Sequence, residues 1–163
     1  LMHRARWITD ACRNAGCLSI VNDRADVAVA ANADGVHVGQ EELTAKEVRA
    51  ILRPDQLLGI STHTLEQAQA AQSDGADYIG VGPTFPTATK SFSEFSGLPF
   101  VTEVNRSIQL PAFAIGGIGL SNLDSVRHAG AHRVAVTSCV ADSEDAEMTV
   151  RELRRLLTEQ VVG

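Results

Sequence analysis

The sequence predicts an α/β protein with a parallel sheet, because six short β-rich runs alternate with helical patterns along the chain. The predicted strands cover residues 18–22, 35–38, 57–61, 78–82, 112–116 and 134–138. The predicted helices cover residues 2–15, 25–31, 45–52, 65–73, 98–106, 123–129 and 145–160. Few polar residues alternate along the predicted strands, so we expect both faces of the sheet to be buried.

Local signals support several of these boundaries. Thr64 is a predicted N-cap, and Gln67, three residues later, can complete a capping box. A weak internal repeat marks the passage from helix to strand: Ala-Asp-Gly-Val-His-Val-Gly at 33–39 resembles Ala-Asp-Tyr-Ile-Gly-Val-Gly at 76–82. The repeat indicates that one supersecondary unit recurs along the chain.

Composition limits the possible partners and surroundings. The 163 residues are 44% hydrophobic and carry a net charge of -6, which predicts one globular domain over residues 1–163 that does not bind nucleic acid. No apolar run approaches the roughly 20 residues of a membrane span, so we expect no membrane contact and a cytoplasmic location. The three cysteines show no metal-ligand spacing and are expected to be reduced thiols, with Cys139 packing against its neighbours.

The position of the polar residues decides between two kinds of parallel sheet. Polar residues follow all six predicted strands, whereas an open doubly wound sheet needs them only at its switch point. The sequence therefore predicts a (β/α)8 barrel, of the TIM type, in which about six strand–helix units are present. A complete barrel usually needs about 200 residues or more, so we expect two units to precede Leu1.

Two strand ends near the carboxyl terminus predict a phosphate site. Gly116 and Gly117 follow one strand, and Thr137 and Ser138 end the next. Glycine allows close approach of backbone N–H groups to a phosphate, and the last two loops of such a barrel often bind one. The alternative interpretation is a glycine-rich turn before a capped helix.

Carboxylates after the first two strands suggest a metal site. Asn22 and Asp23 follow the first strand and Glu42 follows the second. Mg²⁺ takes one or two carboxylates together with water and substrate phosphate oxygens. The alternative for Asp23 is an Asx turn or helix cap.

The segment from 82 to 90 combines two prolines with Thr87, Thr89 and Lys90. Such a loop can hydrogen-bond and neutralise phosphate groups.

His63, in the segment Ser-Thr-His-Thr, suits either acid–base chemistry or a hydrogen-bonding role. His128 and His132 straddle a helix end, which argues against a metal pair.

In these segments the chain resembles the thiamine phosphate synthase family, and the resemblance runs over essentially its whole length. It rests on Ile-Val-Asn-Asp at 20–23, Asp-Gly-Val-His-Val-Gly-Gln-Glu at 34–41, Gly-Ile-Ser-Thr-His-Thr at 59–64, Gly-Ala-Asp-Tyr-Ile-Gly-Val-Gly-Pro at 75–83, Pro-Thr-Ala-Thr-Lys at 86–90 and Ala-Ile-Gly-Gly-Ile at 114–118.

The resemblance implies a transferase that joins hydroxymethylpyrimidine pyrophosphate to a thiazole phosphate and releases pyrophosphate. It implies that Asp23 and Glu42 hold Mg²⁺. It also implies roles for residues that contact the two small-molecule substrates. The implied catalytic residues, which engage the pyrimidine substrate and its pyrophosphate, are Asn22, Ser61 and Lys90, and the implied ligands of the thiazole phosphate are Thr87, Thr89, Gly117, Thr137 and Ser138.

The sequence departs from the family pattern at two points. Glu42 stands where the family usually has Asp, and the family's Gln-Leu-Arg-x-Lys strand, which grips the pyrophosphate, would lie upstream of Leu1. A thiazole tautomerase-like enzyme and a non-catalytic barrel that binds a phosphorylated ligand are the alternative functions. Open sheet edges in a truncated barrel favour pairing with a second copy, so a homo-oligomer is among the expected partners.

Overall fold

A computed structural model of the chain describes residues 1–86 and 95–158. The helices are α1 (Met2–Asn14), α2 (Ala25–Ala30), α3 (Ala45–Ile51), α4 (Leu65–Ser73), α5 (Gly97–Ser107), α6 (Leu123–His128), α7 (Ser138–Ala141) and α8 (Ala146–Thr158). The strands are β1 (Ile20–Asn22), β2 (Gly35–Val38), β3 (Leu57–Thr62), β4 (Tyr78–Val81), β5 (Ala112–Ile115) and β6 (Val134–Ala135). All six predicted strands are therefore present.

The six strands form one parallel sheet in the order of the chain, from β1 to β6. A doubly wound sheet would reverse its strand order at a switch point, and this sheet does not. The sheet curls into a half-barrel. All carboxyl strand ends consequently lie along the same rim, which is where the predicted functional residues fall.

The helix-facing side of the sheet is a closed apolar layer. Seven strand residues on this side are at most 8% exposed because the helices cover them, and Val21, Ala112 and Val134 are partly buried against the same core. The strand residues that make this layer are Val36, Val38, Leu58, Ile60, Ile79, Val81 and Ala114.

The other face of the sheet is more accessible than predicted. Ile20 is 38% exposed and Ile115 is 44% exposed, while His37 and Ser61 are only partly buried. The prediction that both faces are buried is wrong for this face within the described residues. This face is the concave side of the half-barrel.

Most predicted boundaries agree with the structure to within one or two residues, but the last strand is shorter than predicted. The ladder between β5 and β6 ends at the pair Ile115 and Ala135, and Ser138 begins helix α7 instead of ending a strand. Gly116 has a φ of +101°, which turns the chain away from the ladder. The predicted helix end at Gln160 lies outside the described residues.

Helix capping follows the sequence only in part. Thr64 caps α4 as predicted, accepting a hydrogen bond from the Gln67 amide. The Gln67 side chain accepts from the amide of His63, at 2.7 Å, so the predicted capping box is wrong. A complete capping box forms instead between Thr44 and Glu47 at the start of α3.

The internal repeat has a structural cause in its aspartates. The carboxylate of Asp34 accepts hydrogen bonds from the amide and hydroxyl of Ser19, at 2.7 and 2.8 Å, which hold the pKa of Asp34 below its usual range. The carboxylate of Asp77 accepts from the Leu58 amide at 2.7 Å and from Arg49 at 2.6 Å. Each aspartate thus ties the start of its own strand to the preceding strand in the sheet.

The described residues contain no helix long and apolar enough to cross a bilayer. All three cysteines are free, and Cys139 packs against the apolar core, as predicted.

Removing either repeat aspartate should destabilise the fold. Asp34→Ala and Asp77→Ala should each lower the free energy of unfolding by about 1.5–3 kcal/mol, because hydrogen bonds to a charged acceptor are lost. Urea denaturation followed by circular dichroism measures this change. The control Asp55→Ala, whose ion pair with Arg53 is exposed, should change stability by less than about 0.5 kcal/mol. Equal effects from all three variants would contradict the assigned role.

Candidate active site

A cleft of about 630 Å³ opens along the carboxyl ends of the strands, and we call it the strand-end cleft. Its volume falls in the range of small-molecule sites. Its described lining comes from the ends of all six strands. The lining residues are Asn22, Asp23, His37, Gly39, Gln40, Glu41, Glu42, Ser61, Thr62, His63, Gly80, Gly82, Pro83, Ile115, Gly116, Gly117, Ile118, Ala135, Val136, Thr137 and Ser138. The structure therefore brings the predicted site residues that it describes to one cavity.

The end of β1 presents Asn22 and Asp23 to the cleft. Asp23 has a φ of +63°, a left-handed conformation that few residues other than glycine adopt, although Asp and Asn tolerate it. Its amide donates to the carbonyl of His37 at 2.8 Å, which fixes this bend against β2. Strained backbone of this kind is found where a side chain must be held in one place.

The segment after β2 folds back over the cleft. Gln40 donates from Nε2 to the backbone carbonyl of Ser61 at 2.6 Å, which joins this segment to the end of β3. The carboxylate of Glu42 lies over Gly39, where a Cβ would come within 2.5 Å of its Oε2 atom. Glu42 and Asp23 line the same cleft, but the described residues contain no cluster of three metal-ligating side chains.

Ser61 is held from two sides. Its backbone oxygen accepts from Gln40, and its Oγ lies 2.9 Å from Nε2 of His37. His37 and Ser61 are separated by 24 residues and meet because β2 and β3 pair in parallel. The predicted site residue Ser61 therefore has a fixed hydroxyl position.

Sequence reasoning did not select His37 or Tyr78 as site residues. Nδ1 of His37 lies 3.1 Å from the hydroxyl of Tyr78, and the two ring centroids are 5.4 Å apart. Burial, with a smaller contribution from the negative charge of Asp77, raises the pKa of Tyr78 to about 12. Alternation along β2 was the available signal, because it places His37 opposite the apolar face formed by Val36 and Val38.

His63 has a hydrogen-bonding role in the structure. Its Nδ1 lies 2.5 Å from the carbonyl oxygen of Gly82, and because a carbonyl can only accept, this nitrogen donates. Ser96 donates its hydroxyl to the His63 carbonyl at 2.8 Å. His63 thus connects the end of β3 to the two chain segments that flank residues 87–94. His128 bonds the carbonyl of Asp124 in its own helix.

The glycine segment after β5 packs against the chain that leaves β4. Thr84 donates from its amide and hydroxyl to the Ile115 carbonyl, at 2.8 and 3.0 Å, and Phe85 donates its amide to Gly116. A Cβ at Gly117, whose φ is +61°, would collide with the Pro86 carbonyl. Only glycine suits this close approach.

The second predicted phosphate segment lies beside the first. Thr137 and Ser138 line the cleft and are exposed. Within the described residues, the backbone N–H groups of Gly117 and Ser138 donate no hydrogen bond to protein. Thr87, Thr89 and Lys90 lie outside the described residues.

The described lining of the cleft carries negatively charged side chains and no positively charged Lys or Arg. It contains the carboxylates of Asp23, Glu41 and Glu42 and no Lys or Arg side chain. An anionic ligand would therefore need positive charge from a bound cation or from residues beyond the described lining.

Comparison with known proteins assigns the chain to a family. The family model described as thiamine monophosphate synthase matches residues 1–140. The chain belongs to this family. The match covers all six strands and every described lining residue of the strand-end cleft, so the family resemblance seen in the sequence motifs is confirmed.

Two curated members of the thiamine monophosphate synthase family show how much of a relative the chain represents. It is 50% identical over 145 residues to thiamine-phosphate synthase of Rhodopirellula baltica, covering 86% of this chain and 39% of the relative. It is 48% identical over 157 residues to that of Synechococcus sp. strain WH7803, covering 96% and 44% respectively. The chain thus spans about two fifths of the length of these relatives.

A solved structure supports the same family. Thiamine phosphate pyrophosphorylase from Pyrococcus furiosus superposes with a TM-score of 0.86 at 34% identity, covering 96% of this chain and 75% of that one. The parallel half-barrel is therefore shared with a structure related in sequence.

Tyr78 is the one tyrosine of the chain, so its ionisation can be followed directly. The ultraviolet absorbance of the folded protein should show a tyrosinate midpoint near pH 12, against about pH 10 in urea, where burial is lost. Below pH 10 the phenol is neutral in both states. Between about pH 10 and 12 only the unfolded state ionises, so stability should fall as pH rises.

The matched control is Tyr78→Phe. This variant should lose the absorbance change and the tyrosine contribution to the fall in stability. A folded-state midpoint near pH 10 in the unsubstituted protein would contradict the burial of the phenol.

Proposed function

We propose that the strand-end cleft belongs to a thiamine phosphate synthase. Its reaction joins hydroxymethylpyrimidine pyrophosphate to a thiazole phosphate, forming thiamine phosphate and pyrophosphate. The observation that carries the proposal is the convergence of Asn22, Asp23, Ser61 and Gly117 on one cleft in a chain of this family. The curated relatives bear the same activity in their names.

The arrangement of the cleft suits two phosphorylated substrates. Asn22, Asp23 and Ser61 come from the ends of β1 and β3, on the side proposed for the pyrimidine and its pyrophosphate. Gly117 and Ser138 come from the segments after β5 and β6, proposed for the thiazole phosphate. Backbone N–H groups that donate to no acceptor among the described residues are suited to phosphate oxygens.

The reaction requires little acid–base catalysis from the protein. The bond between the pyrimidine methylene carbon and the pyrophosphate oxygen breaks, and its electron pair leaves with the pyrophosphate. The lone pair of the thiazole nitrogen then forms the new carbon–nitrogen bond. No proton needs to move in either step, so positioning and charge stabilisation dominate.

Magnesium is the proposed cofactor, and the donor set fits it. Asp23 and Glu42 supply hard carboxylate oxygens on the same cleft, and Mg²⁺ commonly takes one or two carboxylates and completes its shell with water and phosphate oxygens. When bound, the ion would neutralise charge on the departing pyrophosphate. The described lining offers no Lys or Arg for this task, and Lys90 is the proposed side-chain cation.

The full (β/α)8 barrel is the proposed architecture of the complete protein. Within the described residues β1 pairs only with β2, and β6 only with β5, so both outer strands have an unpaired edge. Two further strand–helix units between these edges would close the barrel. One of them would carry the family's Arg-x-Lys pair.

A thiazole tautomerase-like activity and a non-catalytic phosphate-binding barrel are the competing functions. The carboxylates of Asp23 and Glu42 favour the synthase because neither alternative needs a magnesium-bound pyrophosphate. Formation of thiamine phosphate from both substrates by the purified protein tests the proposal. Binding of the thiazole phosphate without product would support the binding protein instead.

Replacement of Asp23 should separate metal use from thiazole binding. Asp23→Asn keeps a residue that tolerates the left-handed backbone but removes the charge. We expect turnover to fall at least about tenfold at fixed Mg²⁺, and the magnesium concentration for half-maximal rate to rise. Steady-state kinetics over a magnesium titration measures both, and calorimetry should show unchanged thiazole phosphate affinity.

The control for Asp23 is Asp55→Asn, which changes an exposed carboxylate in an exposed ion pair. It should leave the magnesium dependence unchanged. An unaltered magnesium dependence in Asp23→Asn would remove Asp23 from the metal site.

Gly117→Ala should weaken binding of the thiazole phosphate. The added Cβ collides with the Pro86 carbonyl and displaces the backbone N–H from the cleft wall. We expect the affinity for thiazole phosphate to fall about tenfold or more, with little change for the unphosphorylated alcohol. Calorimetric titration with both ligands makes the comparison.

Gly16→Ala is the matched control for Gly117→Ala. Gly16 has a similar φ of +67° but nothing within 4 Å of an added Cβ, so it carries the backbone strain without the collision. Equal losses of affinity in the two variants would mean that left-handed backbone strain, and not the collision at Gly117, weakens phosphate binding.

A further inference from the structure

A chain of three side chains crosses the concave face of the sheet beneath the strand-end cleft. The Tyr78 hydroxyl lies 3.1 Å from Nδ1 of His37, and Nε2 of the same ring lies 2.9 Å from Oγ of Ser61. His37 and Ser61 line the cleft, whereas Tyr78 lies behind His37, outside the described lining. The three residues lie on adjacent strands, β2, β3 and β4. We call them the Tyr78–His37–Ser61 relay.

The hydrogen atoms in this relay can be arranged in two ways. In the first, Tyr78 donates to Nδ1, the Nε2–H of His37 donates to Ser61, and the Ser61 proton points elsewhere. In the second, Ser61 donates to Nε2 and the Nδ1–H donates to Tyr78. A neutral imidazole has one donor and one acceptor nitrogen, so these are its two tautomers. In the first arrangement the Ser61 hydroxyl can donate its proton into the cleft. In the second arrangement His37 takes that hydrogen bond, and the hydroxyl can only accept from a ligand.

The surroundings of Tyr78 favour the first arrangement. The phenol is more acidic than a serine hydroxyl and is therefore the better donor, and burial keeps its proton in place well above neutral pH. Within the described residues His37 is the hydrogen-bond partner of the Tyr78 hydroxyl. A proton donated by Tyr78 to Nδ1 leaves the imidazole proton on Nε2.

Packing holds the relay in register. The Tyr78 ring packs edge-on against Phe113, with centroids 5.5 Å apart and an interplanar angle of 74°. The ring also lies over Gly59, where a Cβ would overlap both the Tyr78 ring and Nδ1 of His37. The absence of a side chain at Gly59 therefore creates the space in which Tyr78 and His37 meet.

We propose that Tyr78 and His37 are positioning residues that orient the Ser61 hydroxyl to donate its proton into the strand-end cleft. Ser61 makes its one side-chain hydrogen bond within the described residues to His37, so its proton is available for a substrate acceptor. The acceptor is a lone pair of the pyrimidine substrate, either a ring nitrogen or a pyrophosphate oxygen. This substrate assignment rests on the proposed synthase function, whereas the orientation of the relay does not.

Nitrogen-15 NMR of the histidine-labelled protein tests the orientation without any substrate. The His37 signals are identified by their loss in His37→Gln, since the chain has five histidines. At a pH where the imidazole is neutral, we expect Nε2 to be protonated and Nδ1 unprotonated. Tyr78→Phe should shift His37 toward a mixture of tautomers. Protonated Nδ1 in the unsubstituted protein would overturn the proposal.

A double-mutant cycle tests whether His37 acts through Ser61. We expect His37→Leu to lower kcat/KM for the pyrimidine substrate about tenfold, the effect of one lost hydrogen bond to a substrate-binding group. In a Ser61→Ala background the same substitution should cost less than about twofold. Equal losses in both backgrounds would mean that His37 contacts the substrate itself or only supports the fold.

A conservative replacement and a remote control complete the test. His37→Gln retains an N–H donor and should recover part of the activity lost in His37→Leu, which a purely structural role would not predict. His128→Leu, at an exposed position outside the described lining, should leave kcat/KM unchanged. If the unsubstituted protein forms no thiamine phosphate, the proposed function fails, while the NMR result still decides the orientation of the relay.

Discussion

The register of the parallel sheet is the constraint on which the site depends. Side chains alternate between the two faces of a strand, so a shift of one residue would exchange the apolar and polar faces. In the observed register Asn22 pairs with His37, His37 with Gly59, and Gly59 with Tyr78. This row places a small residue between two rings and sets Ser61 one step further toward the rim. The buried layer beneath the helices fixes the register, and the polar row follows from it.

The sequence predicted the elements well because each is specified locally. Short β-rich runs identified all six strands, helical patterns between them identified seven of the eight described helices, and Thr64 identified the start of α4. The failures arise where an element is very short or where a neighbouring segment ends it. Helix α7 was missed because four residues carry no periodic pattern, and the β6 strand ended early because Gly116, on the neighbouring segment, turns away. Local propensity contains no information about either event.

The site shows the same division between local and distant information. Asp23, Glu42, Gly117 and Ser138 could be selected from strand ends and family motifs, and the structure places all four on the strand-end cleft. The contacts of His37 could not be predicted from the sequence, because its partners Ser61 and Tyr78 lie 24 and 41 residues away along the chain. A histidine within a short apolar strand has many uses, and only the paired strands reveal which groups it meets. The sequence could therefore identify residues at the rim more readily than those that orient them.

Charge connects the proposed metal to the proposed substrates. A cleft whose described lining carries three carboxylates repels a pyrophosphate, and the protein as a whole has a net charge of -6. Bound Mg²⁺ would offset most of this negative charge, and pyrophosphate oxygens would complete its coordination. Metal and pyrimidine substrate should consequently bind with positive coupling, each raising the affinity for the other by the same factor. The acidic lining then has a functional consequence, because it disfavours the pyrophosphate substrate unless the ion needed for its departure is present.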